Sequence, residues 1–287
     1  MAAISVLLVG TTRCAEFHHV CRALGECAQL TTAENVEAAE QLLAYGKCAP
    51  DVLVLAQSYP GQWSAAAVER LRRLAPLARL VGLLGSWCEG EERTGRPWPA
   101  AIRGYWHQWP ARAPRQFQAI QHGKLTGWSL PVTATEEDRL LCEVQPGGAS
   151  RSALVVVCSS NRSAAELLCD ACLARGWPTV WLRPDWHAVV GGVCVGIFDG
   201  LDLSGPQLDR LRRLCKLVEP APVLALVDYL RIEDVALATQ AGATAVLAKP
   251  VHLVDLYWQL DELAALATRR TTAGARRGNA TAGDLVG

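Results

Sequence analysis

Short apolar runs alternate along this chain with longer stretches in which apolar residues recur every three or four positions. The first spacing is typical of buried strands and the second of amphipathic helices. The runs predict strands at residues 5–9, 28–32, 50–55, 79–84 and 101–105, and again at 153–157, 179–182, 193–198, 223–227 and 245–248. Strands that alternate with helices in this way indicate parallel sheets with helices on both faces.

The alternation runs through the chain twice, which indicates two domains built on one plan. We expect a first domain at residues 1–122 and a second at 153–268. Residues 123–152 contain Gly, Pro, Ser and Thr with one acidic cluster, a composition typical of a linker. Residues 269–287 are small, polar and dotted with Arg, and we expect them to be a disordered tail. In the second copy, residues 183–192 are rich in turn formers, so the second helix is shortened or lost there.

Composition argues against some classes of partner. The chain has 287 residues and a formal net charge of zero, so no overall field favours nucleic acid. No apolar run reaches the roughly 18 residues that a membrane span needs. The eleven cysteines are scattered through strand and helix patterns, where a reduced Cys packs as a small hydrophobe. We therefore expect a cytoplasmic protein that binds neither nucleic acid nor membrane.

Candidate chemistry lies at the ends of two strands in the second copy. Asp199 ends the run at 193–198, and Lys249, followed by Pro250, ends the run at 245–248. The carboxyl ends of parallel strands meet at one edge of a sheet, which is where ligands bind in folds of this type. The sequence therefore predicts that this carboxylate and this ammonium lie close together.

This pair, with the strand pattern around it, resembles the receiver domains of bacterial response regulators in two-component signalling, here in tandem. The segments 222–226 and 241–250 carry the resemblance, which is clearer in the second copy. It implies an α/β fold of two flavodoxin-like, doubly wound, five-stranded parallel sheets. It also implies Asp199 as the candidate phospho-acceptor and Lys249 as the candidate phosphate clamp.

The second copy departs from the pattern at the positions that support this chemistry. Cys158 and Ser159 stand where receivers carry an acidic pair that holds Mg²⁺ with the acceptor. In receivers the fourth strand ends in a Ser or Thr that bonds the phosphoryl group, and the fifth carries an aromatic residue whose rotation reports phosphorylation. Val227 and Val246 stand at these two positions. We therefore expect no metal site and no cofactor, with Mg²⁺ needed only if Asp199 is phosphorylated.

The first copy keeps still less of the receiver pattern. Gly10 and Thr11 occupy the acidic-pair positions, and Ala56 replaces the acceptor. Ser86 supplies a hydroxyl near the end of the fourth strand. At the position of the Lys249-Pro250 pair of the second copy, the first copy has only Trp109 with the proline that follows it. With no carboxylate to accept phosphate, we expect no phosphorylation of this copy by receiver chemistry.

The resemblance and its gaps predict a non-catalytic signalling adaptor or regulator, related to phosphorelay proteins, that acts through protein contacts. The partner is a histidine kinase, another regulator or a second copy of the chain. A homodimer would use the last two helices of the second domain. The Trp-rich stretch from Trp87 to Trp109 is equally typical of a partner surface and of packing against the first domain.

Two alternatives stay open. The first is an atypical receiver in which Asp199 does accept phosphate. The second is a two-lobed small-molecule enzyme of the uroporphyrinogen-III synthase type, which also pairs two flavodoxin-like lobes but normally inserts one lobe into the other. The two copies here are sequential.

Overall fold

The computed structural model of the chain describes residues 3–91, 95, 98, 102–131, 133–143 and 151–282. It divides into two compact units that follow one another in sequence, residues 1–144 and residues 145–287. Neither unit is inserted into the other.

The first unit is a five-stranded parallel sheet with helices on its faces. Its strands are β1 (Ser5–Val9), β2 (Gln29–Ala33), β3 (Val52–Gln57), β4 (Arg79–Leu84) and β5 (Ile102–Tyr105). Its helices are α1 (Ala15–Cys27), α2 (Val36–Ala44), α3 (Ala65–Leu74), α4 (Trp109–Gln121) and α5 (Glu136–Glu143). The strand order is β2-β1-β3-β4-β5, which is the flavodoxin-like order of a doubly wound sheet.

The second unit repeats this arrangement. Its strands are β6 (Leu154–Ser159), β7 (Thr179–Leu182), β8 (Val193–Gly200), β9 (Val223–Asp228) and β10 (Ala245–Lys249). Its helices are α6 (Arg162–Ala174), α7 (Gly205–Val218), α8 (Ile232–Gln240) and α9 (Leu253–Ala282). The strand order is β7-β6-β8-β9-β10, again all parallel. No helix lies within residues 183–192, all of which are described. The predicted fold class, two flavodoxin-like parallel sheets in tandem, is confirmed.

Burial on both faces explains the uninterrupted apolar strands. Every residue of β3 is buried, and so are all but the first residues of β1, β4 and β6. The helices begin where polar side chains satisfy free backbone donors. Asn35, Ser64 and Asn161 each accept a hydrogen bond from the N–H group three residues ahead, at the starts of α2, α3 and α6. Local sequence signals and tertiary burial therefore define the same elements.

The first unit extends further than the predicted boundary at residue 122. Residues 123–143, which the sequence pattern assigns to the linker at 123–152, fold onto this unit. Trp128 packs with ring centroids 5.5 Å from Trp109 and 5.8 Å from Phe117, and Arg115 pairs with Glu143 at 2.8 Å. The buried indole outweighs the turn-rich composition, because an aromatic ring gains much from burial.

The C-terminal segment also differs from the prediction. Helix α9 continues to Ala282, through most of the tail predicted at 269–287. Residues 268–282 contain no proline and continue a helix already formed at residues 253–267, although Gly274 and Gly278 are poor helix formers. Residues 283–287 lie outside the described part of the chain. Among the described helices, none is both long and apolar enough to cross a membrane.

Candidate functional site at the carboxyl edge of the second sheet

Four polar side chains meet where four strands of the second sheet end. Ser159 ends β6, Asp199 lies in the last two residues of β8, and Asp228 and Lys249 end β9 and β10. The strand register sets Ser159 beside Asp199 and Lys249 beside Asp228. Parallel pairing therefore brings together residues that are up to 90 positions apart, from Ser159 to Lys249.

Asp199 is the centre of this cluster, and both of its carboxylate oxygens accept a hydrogen bond. The Lys249 ammonium donates to Oδ1 at 2.7 Å, and the Ser159 hydroxyl donates to Oδ2 at 2.6 Å. The Asp199 side chain is only 7% exposed. Charge-assisted hydrogen bonds of this length are strong, so the carboxylate is held firmly in place.

Lys249 is shared between two carboxylates. Its ammonium lies 2.7 Å from Asp199 and 3.0 Å from Asp228 Oδ1, and its side chain is 23% exposed. Burial by itself lowers the pKa of Lys249, but the hydrogen bonds and charges of the two aspartates outweigh burial, and the pKa is raised above its ordinary value of 10.5. The cluster of two carboxylates and one ammonium carries a formal charge of −1.

The position of Ser159 is fixed from three sides. Its side chain is buried, and the Asn161 N–H donates to its hydroxyl oxygen at 3.0 Å. The Trp181 indole donates to the Ser159 carbonyl at 3.0 Å. The Ser159 hydroxyl has two possible acceptors, the Asp199 carboxylate at 2.6 Å and the Asn161 carbonyl at 3.0 Å. The shorter, charge-assisted bond to the carboxylate is the stronger of the two.

Cys158 is the other residue at the predicted acidic-pair positions, and it stays a neutral thiol. Burial raises its pKa to about 11, although Arg210 opposes the shift. Neither Cys158 nor Ser159 therefore contributes a negative charge at neutral pH. Among the described residues, no group of three or more His, Cys, Asp and Glu side chains is arranged to hold a metal ion.

Val227 is completely buried in β9. The next residue, Asp228, supplies the polar group at the end of this strand.

The sequence pattern pointed to Asp199 and Lys249 by their positions at strand ends, and the structure brings them into contact. It did not indicate that Asp228 would share the lysine, or that Ser159 would bond the acceptor. Both residues stand at strand ends, which places them at this edge but does not specify their hydrogen-bond partners.

The same edge of the first sheet holds no such cluster among its described residues. Ala56 stands at the acceptor position and is fully buried, and its carbonyl accepts a hydrogen bond from the Trp63 indole at 3.0 Å. Gly10 lies against it with a φ of +121°, and a β-carbon there would come within 2.8 Å of the Ala56 carbonyl oxygen and 3.1 Å of the Trp63 ring. Only glycine allows this close approach. The Trp63 ring therefore closes the edge between β1 and β3.

Polar groups further along this edge bond one another. The Ser86 hydroxyl donates to Glu16 at 2.6 Å and accepts from the Trp106 indole at 2.9 Å. The Gln57 amide donates to buried Glu91 at 3.1 Å, and Arg103 forms an ion pair with the same carboxylate. Strand β5 ends at Tyr105, so Trp106 follows it directly. Trp109 and its proline begin α4 instead, which corrects their assignment to the Lys-Pro step.

The Trp-rich stretch divides between the core and the surface. Trp98, Trp106 and Trp109 are buried. Trp87 is 84% exposed. Packing against the first domain therefore accounts for three of the four described indoles between Trp87 and Trp109.

The strand order defines the class of this chain as two flavodoxin-like α/β units in tandem. No protein-family model matches it, and no curated protein matches it. Solved response-regulator structures resemble it in part. A response regulator from Thermotoga maritima is 16% identical over 40% of this chain and 99% of its own, with a TM-score of 0.33. A receiver domain protein from Clostridium thermocellum is 19% identical over 42% of this chain and 98% of its own, with a TM-score of 0.33.

A response regulator from Burkholderia pseudomallei, described with a phosphorylated aspartic acid, a calcium ion and citrate, is 22% identical over 44% of this chain and 75% of its own. Its TM-score is 0.33. At these identities and TM-scores the alignments carry no argument about function. The fold class rests on the strand order and the parallel register of the chain itself.

Proposed function

We propose that this chain is a non-catalytic signalling regulator whose second unit is a pseudo-receiver, acting through protein contacts without aspartyl phosphate. One observation carries the proposal: the Ser159 hydroxyl, at an acidic-pair position, donates to the candidate acceptor Asp199 at 2.6 Å. A hydroxyl therefore stands where receivers carry a metal-holding carboxylate, and it donates to one carboxylate oxygen of Asp199.

The chemistry of phosphoryl transfer explains why this contact matters. A carboxylate that accepts phosphate attacks with a lone pair on one oxygen, and a divalent cation neutralises the charge that accumulates. In this unit both oxygens of Asp199 are engaged, and the side chain is 7% exposed. Lys249 is the only cation that contacts the cluster among the described residues, and two carboxylates already share it.

The second candidate is the phospho-accepting receiver, which Asp228 favours. Its carboxylate lies at the same edge as Asp199, and both contact the Lys249 ammonium. Two carboxylate groups on one side of a lysine could bind Mg²⁺ if the lysine moved away, because hard cations prefer oxygen ligands. In that case Asp199 would be the acceptor, Lys249 the phosphate clamp and Mg²⁺ the cofactor.

Phosphorylation with a small donor tests the two candidates. The full chain and its Asp199→Asn variant are incubated with Mg²⁺ and acetyl phosphate, and intact mass is recorded beside a working receiver domain from another protein. The pseudo-receiver predicts no phosphoryl adduct on the wild type while the working receiver gains one. An adduct on the wild type that is absent from Asp199→Asn would overturn the pseudo-receiver and establish the phospho-acceptor.

Protein contact is the other half of the proposal. Apolar side chains are exposed beside the last two helices of the second unit: Leu237 on α8, Leu253 at the start of α9, and Tyr229 in the loop before α8. Their exposed fractions are 37%, 46% and 83%. We propose that this surface binds a second copy of the chain, a histidine kinase or another regulator, in the cytoplasm.

The homodimer is the form that can be tested with the purified chain alone. Light scattering after size exclusion gives its mass, and Leu237→Lys is expected to shift a dimer toward monomer. Leu167→Lys is the matched control, since Leu167 is 64% exposed on α6. A monomeric wild type would exclude the homodimer and leave the other two partners.

A further inference from the structure

A pocket of about 450 Å³ opens in the first unit at the amino ends of β4 and β5, the edge opposite to the one described above. The end of α3, the segment that leads into β4, and residues 128–131 form its walls. Pockets of this size are suited to small molecules.

The charged side chains around the pocket are mostly arginines. Four line it, Arg72, Arg73, Arg79 and Arg139, with one carboxylate, Glu69. Glu69 lies 3.5 Å from Arg72 and 3.4 Å from Arg73. Arg72 and Arg73 also lie in the last turn of α3, where cations offset the helix dipole. This role accounts for Arg72 and Arg73. It does not apply to Arg79 and Arg139, which lie outside α3.

Arg139 is a buried cation. It is 8% exposed, and its guanidinium donates to the carbonyls of Gly127 and Pro131, the latter at 3.0 Å. These acceptors are neutral, and within the described ranges no carboxylate lies within ion-pair distance of Arg139. The neighbouring Asp138 acts on Arg139 through its charge but forms no ion pair with it. A buried cation without a paired carboxylate is costly, so a ligand that placed a negative charge against the guanidinium would be bound favourably.

Arg79 presents an unused donor at the same place. Its Nε–H is buried and has no hydrogen-bond partner among the residues that the structure describes. Buried polar groups nearly always have a partner, and those that do not call for an explanation. The pocket is therefore lined by two arginines that could bind an anion: Arg139, which forms no ion pair among the described residues, and Arg79, whose Nε–H is unused.

The remaining wall is apolar. Leu80, Ile102 and Trp128 are all buried and line the pocket. A ligand that fits it has an anionic group for the guanidinium groups and an apolar body for this wall. Guanidinium groups match both carboxylate and phosphate oxygens in geometry.

We infer that this pocket binds a small organic anion, with its carboxylate or phosphate group between Arg79 and Arg139 and its apolar body against Trp128. The inference does not depend on the proposed function of the second unit.

Calorimetric titration of the full chain with benzoate, phenyl phosphate and the uncharged benzyl alcohol tests it. At least one of the two anions is expected to bind, and the tighter one identifies the anionic group. Arg79→Gln should weaken that binding by about tenfold or more, because a hydrogen bond to a charged group is lost. The matched control is Arg70→Gln, at an arginine of the neighbouring helix α3. Arg70 pairs with Glu40 at 2.7 Å outside the pocket, and its variant should bind like the wild type.

Three results would overturn the inference: neither anion binds, benzyl alcohol binds as well as the anions, or Arg79→Gln and Arg70→Gln bind equally. Amide spectra check that the first unit of each variant is folded. If Arg79→Gln does not fold, Arg79→Lys takes its place: it keeps the positive charge but lacks the Nε–H donor, so the same weakening and the same control apply.

Discussion

The carboxyl edges of the two sheets have the same strand order and opposite chemistry. In the second sheet, Asp199, Asp228 and Lys249 form a contiguous ion cluster. In the first sheet, Ala56 stands at the acceptor position, and the ring of Trp63 lies against it and Gly10. At the acceptor position one edge holds an ion cluster and the other an aromatic ring, although Glu91 and Arg103 form an ion pair further along the first edge.

The difference indicates that such a cluster is kept or lost as a set. A carboxylate at Ala56 would have no ammonium beside it, and a single buried charge is unfavourable. In the second unit each carboxylate contacts an ammonium, since Lys249 lies within 3.0 Å of both aspartates. Burial of the strands, by contrast, does not depend on the edge, so the fold is the same in both units.

The largest expected effect comes from introducing the missing carboxylate into the first unit. Ala56→Asp puts a charge at a fully buried position, beneath the Trp63 ring. We expect it to destabilise this unit by about 5 kcal/mol, enough to unfold it, because the charge has no partner. Hydrogen exchange read by mass spectrometry on the full chain reports the two units separately.

Ala56→Ser is the matched control, because it adds a small polar group without a charge and should leave most amides of the first unit protected. The explanation by charge fails if Ala56→Asp leaves the first unit as protected as the wild type does, or if Ala56→Ser is equally damaging.

The next effect concerns Trp106, a second aromatic ring at the carboxyl edge of the first sheet. Trp106 is fully buried and donates to Ser86, whereas Trp87, in the turn after β4, is 84% exposed. Trp106→Ala should destabilise the first unit by about 3–4 kcal/mol through a cavity and a lost hydrogen bond. Trp87→Ala should change stability by less than about 0.5 kcal/mol. Urea unfolding followed by unit-resolved hydrogen exchange measures both, and equal losses would show that burial does not distinguish the two indoles.

The fold could be predicted from the sequence because its strands are buried on both faces. Runs such as 52–55 and 155–157 stay apolar for that reason, and a parallel sheet then fixes which strand ends share an edge. This reasoning predicted that Asp199 and Lys249 would lie together. The packing of residues 123–143 was not predicted, since it depends on where Trp128 finds a partner, and turn-rich composition does not encode that contact.

The details of the site were harder to predict for a similar reason. The Ser159 bond to Asp199 depends on rotamers and on the Asn161 and Trp181 contacts that fix the serine. Composition gave no indication that Asp228 would share Lys249, because a strand-end aspartate can equally face solvent. Position at a sheet edge can be predicted from sequence. Hydrogen-bond partners depend on distances of a few tenths of an ångström.

A smaller effect is expected from neutralising Asp199 in the second unit. Asp199→Asn keeps the shape but removes the charge that binds Lys249 and Ser159. We expect a loss of about 1–3 kcal/mol, the range for charged hydrogen bonds whose partners are left behind. Asp209→Asn is the control, because Asp209 is exposed and, among the described residues, pairs only with Arg212 in α7. Urea unfolding of the second unit compares them, and an Asp199→Asn variant as stable as Asp209→Asn would show that the cluster contributes nothing.

The smallest effect is a pH dependence that belongs to Lys249. Its pKa is raised in the folded unit above the ordinary 10.5, so the folded state binds this proton more tightly than the unfolded state does. The stabilisation is fully present below pH 10.5 and is lost as pH rises through the folded pKa. Above pH 10.5 the stability of the wild type should therefore fall toward that of Lys249→Gln, which has no proton to lose. Lys216→Gln, at an exposed lysine of the same unit, should follow the wild type throughout. A constant gap in stability between the wild type and Lys249→Gln from pH 9 to 12 would mean that the two aspartates do not hold the lysine proton.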